Sequence, residues 1–386
     1  MNSFTFNTTK SIISEPGAIK HLSEICHRYR IRRPLVVTDQ GVLDNKLLTP
    51  IFDQLQKTKV QVITFSDVKA DLPEDKVLKA LRQANIENID GVIGFGGGSS
   101  MDTAKLVALM AGSGETLSEL YGSGKAVGQR LPLIQVPTTA GAGSEVTPDA
   151  IITTGDKVKR SVAAAQMLPD VAILDAELTL TLPSDITAYT GVDAMVHAIE
   201  AYTSADNKNP YSDMLAREAL TLLSSHISTA VFHGQNLEAR QYMLVAACMA
   251  GQAFANASLA AVHALAQPLA MHYQIPHGLG NALLLPHVMR FNADNERAAA
   301  LYTQLAPSVM HQTTPSGDDH TVAMQLVDHL QNLIAGLKLP TELRSLDIAE
   351  PDLPMLAEGA MQQSLLAHNP RELTYDDALA IYRAAY

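Results

Sequence analysis

The sequence predicts an α/β domain followed by an all-helical one, and three observations carry this. Up to about residue 182, short β-prone runs alternate with helical periods, the pattern of βαβ units on a parallel sheet. After LTLTLPSD (178–185) helical periods continue to the end with few strand signals. Two loops rich in glycine and hydroxyl residues follow strand-like runs, both in the first half. Pro183 marks the boundary, giving domains of 1–182 and 183–386.

The elements of the first domain follow in order. PLVVTD (34–39) is a buried-strand run, and Leu47, Leu48, Ile51, Phe52 and Leu55 then recur at helical spacing. VQVITF (60–65) is the next strand, and the stretch after Pro73 is helical through Val77, Leu78 and Leu81. DGVIGFGGG (90–98) is a strand running into glycines, and SSMDTAKLVALMA opens a helix. PLIQVP (132–137) and VAILD (171–175) are further strands. Residues 146–163, around Gly155 and Asp156, read as a hairpin on the same sheet.

Composition narrows the function. The 386 residues are 47% hydrophobic and 18% charged, enough apolar material for a large core. The net charge is −12, from 28 basic and 40 acidic residues, so neither nucleic acid nor an anionic membrane is expected as a partner. No apolar run is long enough to span a bilayer, and the N-terminal stretch has no signal-peptide pattern. Cys26 and Cys248 stand far apart with no CxxC context, which suits a reducing cytoplasm.

The loop GFGGGSSMDTAK (94–105) joins a strand to a helix. Its glycines let a ligand approach the backbone, and the helix start offers unpaired N–H groups to an anion. PTTAGAGSEVT (137–147) is a second such loop, and together they suggest a dinucleotide cradle, though neither fits GxGxxG. Asp39 closes the first strand, where a carboxylate accepts from a ribose 2′-OH; it also suits a turn before Gly41.

GVDAMVHAIEAY (191–202) places Asp193 and His197 four apart in an otherwise apolar helix, so both lie on one face. Further on stand His263, His272, His277 and His287. A carboxylate with two or three imidazoles is a ligand set for Zn²⁺ or Fe²⁺, but spacing does not choose among His272, His277 and His287.

These motifs, in this order, resemble the iron-dependent (group III) alcohol dehydrogenases, which share a fold with dehydroquinate synthase and glycerol dehydrogenase. The resemblance runs from TDQG through GGGSSMDTAK, PTTAGAGSEVT and PDVAILDAEL to TGVDAMVHAIEAY and PHGLGNALLLPHV. It implies a nucleotide-binding domain, a helical domain and an active site in the cleft between them. It implies metal ligands at Asp193, His197, His263 and His277, with Fe²⁺ favoured and Zn²⁺ compatible. It implies NAD held by Gly96, Gly97, Gly98 and Ser99, lined by Thr138 and Thr139 and contacted by Lys159. The chain departs from the common pattern at Ala142, where a hydroxyl residue is usual, and at Gln267, where many members carry a histidine. Gln267 cannot titrate, so its expected role is to position substrate or water.

The resemblance further implies hydride transfer between a small primary alcohol or its aldehyde and the nicotinamide, in a homodimer or larger homo-oligomer. Other readings on the same fold are a glycerol or polyol dehydrogenase, a maleylacetate reductase-like enzyme and a cyclising lyase. The lyase would need several basic residues for a phosphorylated substrate, whereas Ala, Leu, Met and Pro surround the histidines. A non-catalytic assembly module would not need to keep both glycine loops and the ligands.

Overall fold

The computed structural model describes residues 3–155, 158–311 and 315–386. The chain divides into two compact units. One is Asn7–Leu182; the other is Pro183–Tyr386 with the N-terminal residues up to Phe6. The start of the chain thus groups with the helical unit, which no local pattern in the sequence signals.

The first unit is built on a six-stranded parallel sheet. Its strands are β1 (Ser11–Ser14), β2 (Pro34–Val37), β3 (Ile63–Phe65), β4 (Gly91–Gly96), β6 (Leu133–Pro137) and β9 (Val171–Leu174). Their order is β1-β9-β6-β4-β2-β3, all parallel. Parallel strands are covered on both faces, which is why β2, β4 and β9 read as continuous apolar runs and β6 is buried throughout, Gln135 included. Alternate side chains feed two cores. Val36, Ile93, Phe95, Ile134 and Val136 pack with Ile51 and Leu55. Leu35, Val37, Val92 and Leu133 pack with Ala80, Ala84, Ala104 and Val107. VQVITF forms strand only over its last three residues, and the edge strand β1 is an addition to the sequence reading.

Residues 146–163 do not join that sheet. β7 (Asp149–Thr153) and β8 (Lys159–Ala163) pair antiparallel and, with β5 (Gly122–Ser123), form a separate three-stranded sheet; Asp156 at the expected tip lies outside the described residues. The reason is legible in the burial. Ala150 and Ile152 are buried while Ile151 between them is exposed, a one-sided pattern unsuited to a sheet covered on both faces. The buried side packs on Leu106, Leu109 and Met110. The helix Gly98–Ser113 carries those residues on one side and Ala104, Val107 and Ala108 on the other, so it is buried nearly all round.

The second unit is helical. Its starts carry the expected caps: Asn209 accepts from Ser212 N, Asn236 from Ala239 N, Asn295 from Ala298 N and Asp318 from Thr321 N. Thr374 and Asp377 form a capping box on the last helix, Tyr375–Ala385. That helix buries Tyr382, whose hydroxyl donates to Leu265 O on the helix Ala261–Tyr273. Among the described residues no helix is long and apolar enough to cross a membrane.

Gly112 tests the packing of the first unit. A Cβ there would lie 2.6 Å from backbone atoms of Gln129, Arg130 and Leu131, and no rotamer change relieves backbone overlap. In an open helix Gly→Ala gains about 1 kcal/mol. Gly112→Ala is expected instead to lose about 1–3 kcal/mol, the usual range for overpacking. The urea unfolding midpoint measures this, and a stabilised variant would contradict the packing described.

Candidate metal centre and cofactor loop

The helix Ser184–Thr203 is buried over most of its length and carries Asp193, His197 and Glu200 at i, i+4 and i+7, on one face. His263 lies in the first turn of the helix Ala261–Tyr273, and His277 opens the helix His277–Ala293. The fold brings a ligand atom from each of Asp193, His263 and His277 within 4.8 Å of one another. Asp193 Oδ1 is 3.9 Å from His263 Nε2 and also 3.9 Å from His197 Nε2. His197 stacks on His263 at 4.8 Å between ring centroids and packs on Phe254 at 4.5 Å, beside the tight trio rather than within it.

His277 reaches Asp193 because of the glycine that follows it. A Cβ on Gly278 would lie 2.6 Å from Tyr189 O and 3.1 Å from Asp193 Cβ. Only a residue without a side chain lets these helices approach so closely. This gives the PHG triplet its physical meaning.

The electrostatics favour a bound cation. Burial pushes His197 down to about 4, against the pull of Asp193, so its ring is neutral near pH 7. Burial also opposes charge on His263, but the Glu200 carboxylate, then Asp193, raise it above the ordinary value. Burial alone would raise Asp193; the three histidines and Asn281 outweigh it and hold the carboxyl low. His263 Nε2, His197 Nδ1 and Asn281 Oδ1 are buried with no hydrogen-bond partner. An unsatisfied buried polar atom costs roughly 1–3 kcal/mol. A carboxylate with facing imidazole nitrogens therefore fits a divalent cation.

Two residues of this cluster escape a local reading of the sequence. Asn281 Nδ2 donates to Asp193 Oδ1 at 2.6 Å and lies 3.2 Å from His277 Nε2. Glu200 accepts from Ala260 N and Val262 N and lies 2.6 Å from His263 Nδ1. Gln267 is buried one turn beyond His263. His272 is exposed near the end of that helix, and His287 lies ten residues past His277, partly buried; neither is in the trio.

In the α/β unit, β2 and β4 are neighbours from which the chain winds in opposite directions, towards β3 on one side and β6 on the other. Open parallel sheets bind ligands at the carboxyl ends of strands beside such a reversal. Asp39 follows β2 and the glycine loop follows β4. Ser100 Oγ donates to Asp39 Oδ2 at 3.3 Å, so the two loops touch. Asp39 also caps the short helix Gln40–Asp44 through Val42 N. Gly96 has φ 148°, and a Cβ there would lie 2.7 Å from Ser100 Oγ and 2.9 Å from Asp39 Oδ2. A Cβ on Gly97 would lie 3.6 Å from Thr139 Oγ1, and one on Gly98 would lie 3.1 Å from Ala142 Cβ. Thr138 N donates to Gly96 O at 3.0 Å, and Ser99 O accepts from Thr103 Oγ1. The two predicted loops thus form one structure.

Lys159 lies on β8, its ammonium 2.7 Å from Asp71 Oδ1. A different lysine sits behind the glycine loop. Lys105 is fully buried and donates to Asp102 Oδ1, Thr147 Oγ1 and Asp149 O, tying the helix to the second loop's exit. Its sequence signal is a lone cation ahead of the apolar run LVALMA.

Two family models match the chain. Residues 9–176 match that of iron-containing alcohol dehydrogenase, and residues 187–386 match the C-terminal model of the Fe-containing alcohol dehydrogenase family. Alcohol dehydrogenase 4 of Schizosaccharomyces pombe is 35% identical over 92% of this chain and 82% of its own. The crystal structure of a 1,3-propanediol oxidoreductase matches at a TM-score of 0.95 and 32% identity over 100% of both chains. That of sulfoacetaldehyde reductase from Bifidobacterium kashiwanohense, in complex with NAD⁺, matches at 0.88 and 27% identity, over 100% of this chain and 99% of that one. The chain belongs to the iron-containing alcohol dehydrogenase family. It is an enzyme of alcohol oxidoreduction.

His287, outside the trio, yields a pH prediction. Burial, then Arg290, pushes it down to about 4. The unfolded value is about 6.5, so between these values the unfolded chain binds the extra proton and stability falls as pH drops. At pH 5 His287 accounts for about 1–2 kcal/mol of that loss. Urea unfolding at pH 7 and pH 5 should show a smaller loss for His287→Asn than for wild type. Equal losses would show that His287 is not held neutral.

Proposed function

We propose that the chain interconverts a small primary alcohol and its aldehyde with NAD(H), using a divalent metal held by Asp193, His197, His263 and His277. The observation that carries this reading is the buried, unpaired Nε2 of His263 facing Asp193, with His277 within the same few ångströms. Fe²⁺ is the favoured ion on the family's description, and Zn²⁺ also suits the donor set. Bound there, the cation supplies Lewis acidity that favours a deprotonated alcohol or polarises a carbonyl.

The residues of the chain do the rest. Gly96, Gly97, Gly98 and Ser99 keep the start of a 16-residue helix open to the pyrophosphate, whose charge its free N–H groups and dipole stabilise. Thr138 and Thr139 line the same loop. Asp39 accepts from the ribose 2′-OH and repels a 2′-phosphate, giving NAD preference over NADP. Lys159 is a weaker cofactor contact, because Asp71 already engages its ammonium. Gln267 orients the substrate hydroxyl or a water without exchanging a proton itself. The 1,3-propanediol oxidoreductase match supports a short-chain alcohol. Two cysteines in 386 residues, far apart and with no CxxC context, support a cytoplasmic setting.

Absorbance at 340 nm with NAD⁺ and a panel of primary alcohols, together with metal analysis, tests the reading. His277→Ala should lose most of its metal and nearly all turnover while keeping its helical circular dichroism. Full activity in that variant, or in chelator-stripped protein, would remove the metal from the reaction. For the cofactor, wild type should favour NAD⁺ by about 1.5–3 kcal/mol, the worth of a hydrogen bond to a charged group. Asp39→Gly should narrow or reverse that gap in kcat/KM; a wild type that uses NADP⁺ equally well shows that Asp39 does not read the ribose.

A further inference from the structure

We propose that Glu200 is a positioning residue for the metal centre: it fixes the proton of His263 on Nδ1 and so presents Nε2 to the cation. This rests on the metal-centre reading above. Glu200 stands one helical turn beyond His197, on the face that carries Asp193. Its side chain is almost wholly removed from solvent, where an ionised carboxylate survives only if its oxygens are paired. They face three nitrogens of one segment. Oε2 accepts from Ala260 N at 2.9 Å and lies 2.6 Å from His263 Nδ1, and Oε1 accepts from Val262 N at 2.6 Å.

This arrangement does two things at once. Ala260 precedes the helix Ala261–Tyr273 and contributes no side-chain cap. Glu200, from another helix, takes over that task, satisfying first-turn N–H groups and placing a negative charge at the positive end of the helix dipole. The same contact locks the first turn, and with it the His263 ring, against the helix that bears Asp193 and His197.

The tautomer follows from the donor and acceptor inventory. An ionised carboxylate only accepts, so His263 Nδ1 must carry a proton to lie 2.6 Å from it. In the neutral ring Nε2 is then a bare lone pair. That atom is buried, has no protein partner and lies 3.9 Å from Asp193 Oδ1. Imidazoles that bind metals commonly donate their second N–H to a carboxylate or carbonyl, which fixes ring orientation and strengthens the ligand nitrogen. Asp193, His197 and Glu200 thus supply from one helix two candidate ligands and the group that aims a third.

The test combines a tautomer readout with a binding constant. Histidine-¹⁵N NMR of metal-free wild type at alkaline pH should show His263 with Nδ1 protonated and Nε2 bare. Glu200→Gln keeps size and shape but offers one acceptor oxygen to three donors. It should move part of the His263 population to the Nε2–H form and weaken Zn²⁺, titrated against a competing chelator, about 10–100-fold. His263 found as Nε2–H in wild type overturns the proposal, and that spectrum decides the matter even if Glu200→Gln does not fold. A folded Glu200→Gln that binds Zn²⁺ within twofold of wild type, or leaves the tautomer unchanged, overturns it as well. A wild type that binds no Zn²⁺ or Fe²⁺ overturns the metal-centre reading itself, and this role with it.

Discussion

The helical unit depends on one close contact. The helix beginning at His277 meets the helix Ser184–Thr203 with Gly278 against Tyr189 O, where any side chain would collide. Helices normally pack 8–10 Å apart, at a distance set by the side chains between them. Removing the side chain at this crossing shortens the reach from His277 to Asp193, and Asn281, one turn on, then bonds that same carboxylate. The third segment arrives by a different route. The helix Ala261–Tyr273 is held at its start by Glu200 and at Leu265 O by Tyr382. Its interior Pro268 removes one internal hydrogen bond, so these outside ties matter more than in an unbroken helix.

The α/β unit solves a different problem. Its glycine loop sits where neighbouring strands send the chain in opposite directions, so the ends of β2 and β4 open beside each other. Asp39 has two tasks there, capping a short helix and meeting Ser100, and the turn reading of the sequence holds at that residue. Lys105 closes the back of the loop. A fully buried ammonium is costly unless paired, and its three acceptors tie the helix to residues 147 and 149.

What the sequence made legible was what repeats locally. The apolar runs of β2, β4, β6 and β9 and the i, i+4 spacing of Asp193 and His197 need only neighbouring residues to be read. Glu200 lies in the same quoted stretch yet carried no signal, because its partners are 60 to 63 positions away. Asn281 reads as an ordinary helix residue until the fold sets it 88 positions back against Asp193. Among His272, His277 and His287 spacing could not choose, and the choice came from family resemblance. The helices give the physical difference: His272 falls near the C-terminal end of its helix, whereas His263 and His277 fall at the starts of theirs, with ligand atoms close to that of Asp193. The separate small sheet was misplaced because a hairpin's own residues do not say which sheet edge is already occupied. Here β1, paired to β9 across some 160 positions, holds the edge of the main sheet beyond β9.

The grouping of the first residues with the helical unit has a consequence for synthesis. Phe4 and Phe6 pack on Tyr211 with ring centroids 5.8 and 5.5 Å apart. A ribosome adding 5–20 residues per second needs roughly 10–40 s to travel from one contact partner to the other. During that interval the whole α/β unit emerges, and β9, its last strand, becomes available to β1. The nascent chain can therefore finish its α/β half while the residues ahead of it still await their partner. Phe4 and Phe6 lack this ring contact for as long as translation takes to reach residue 211.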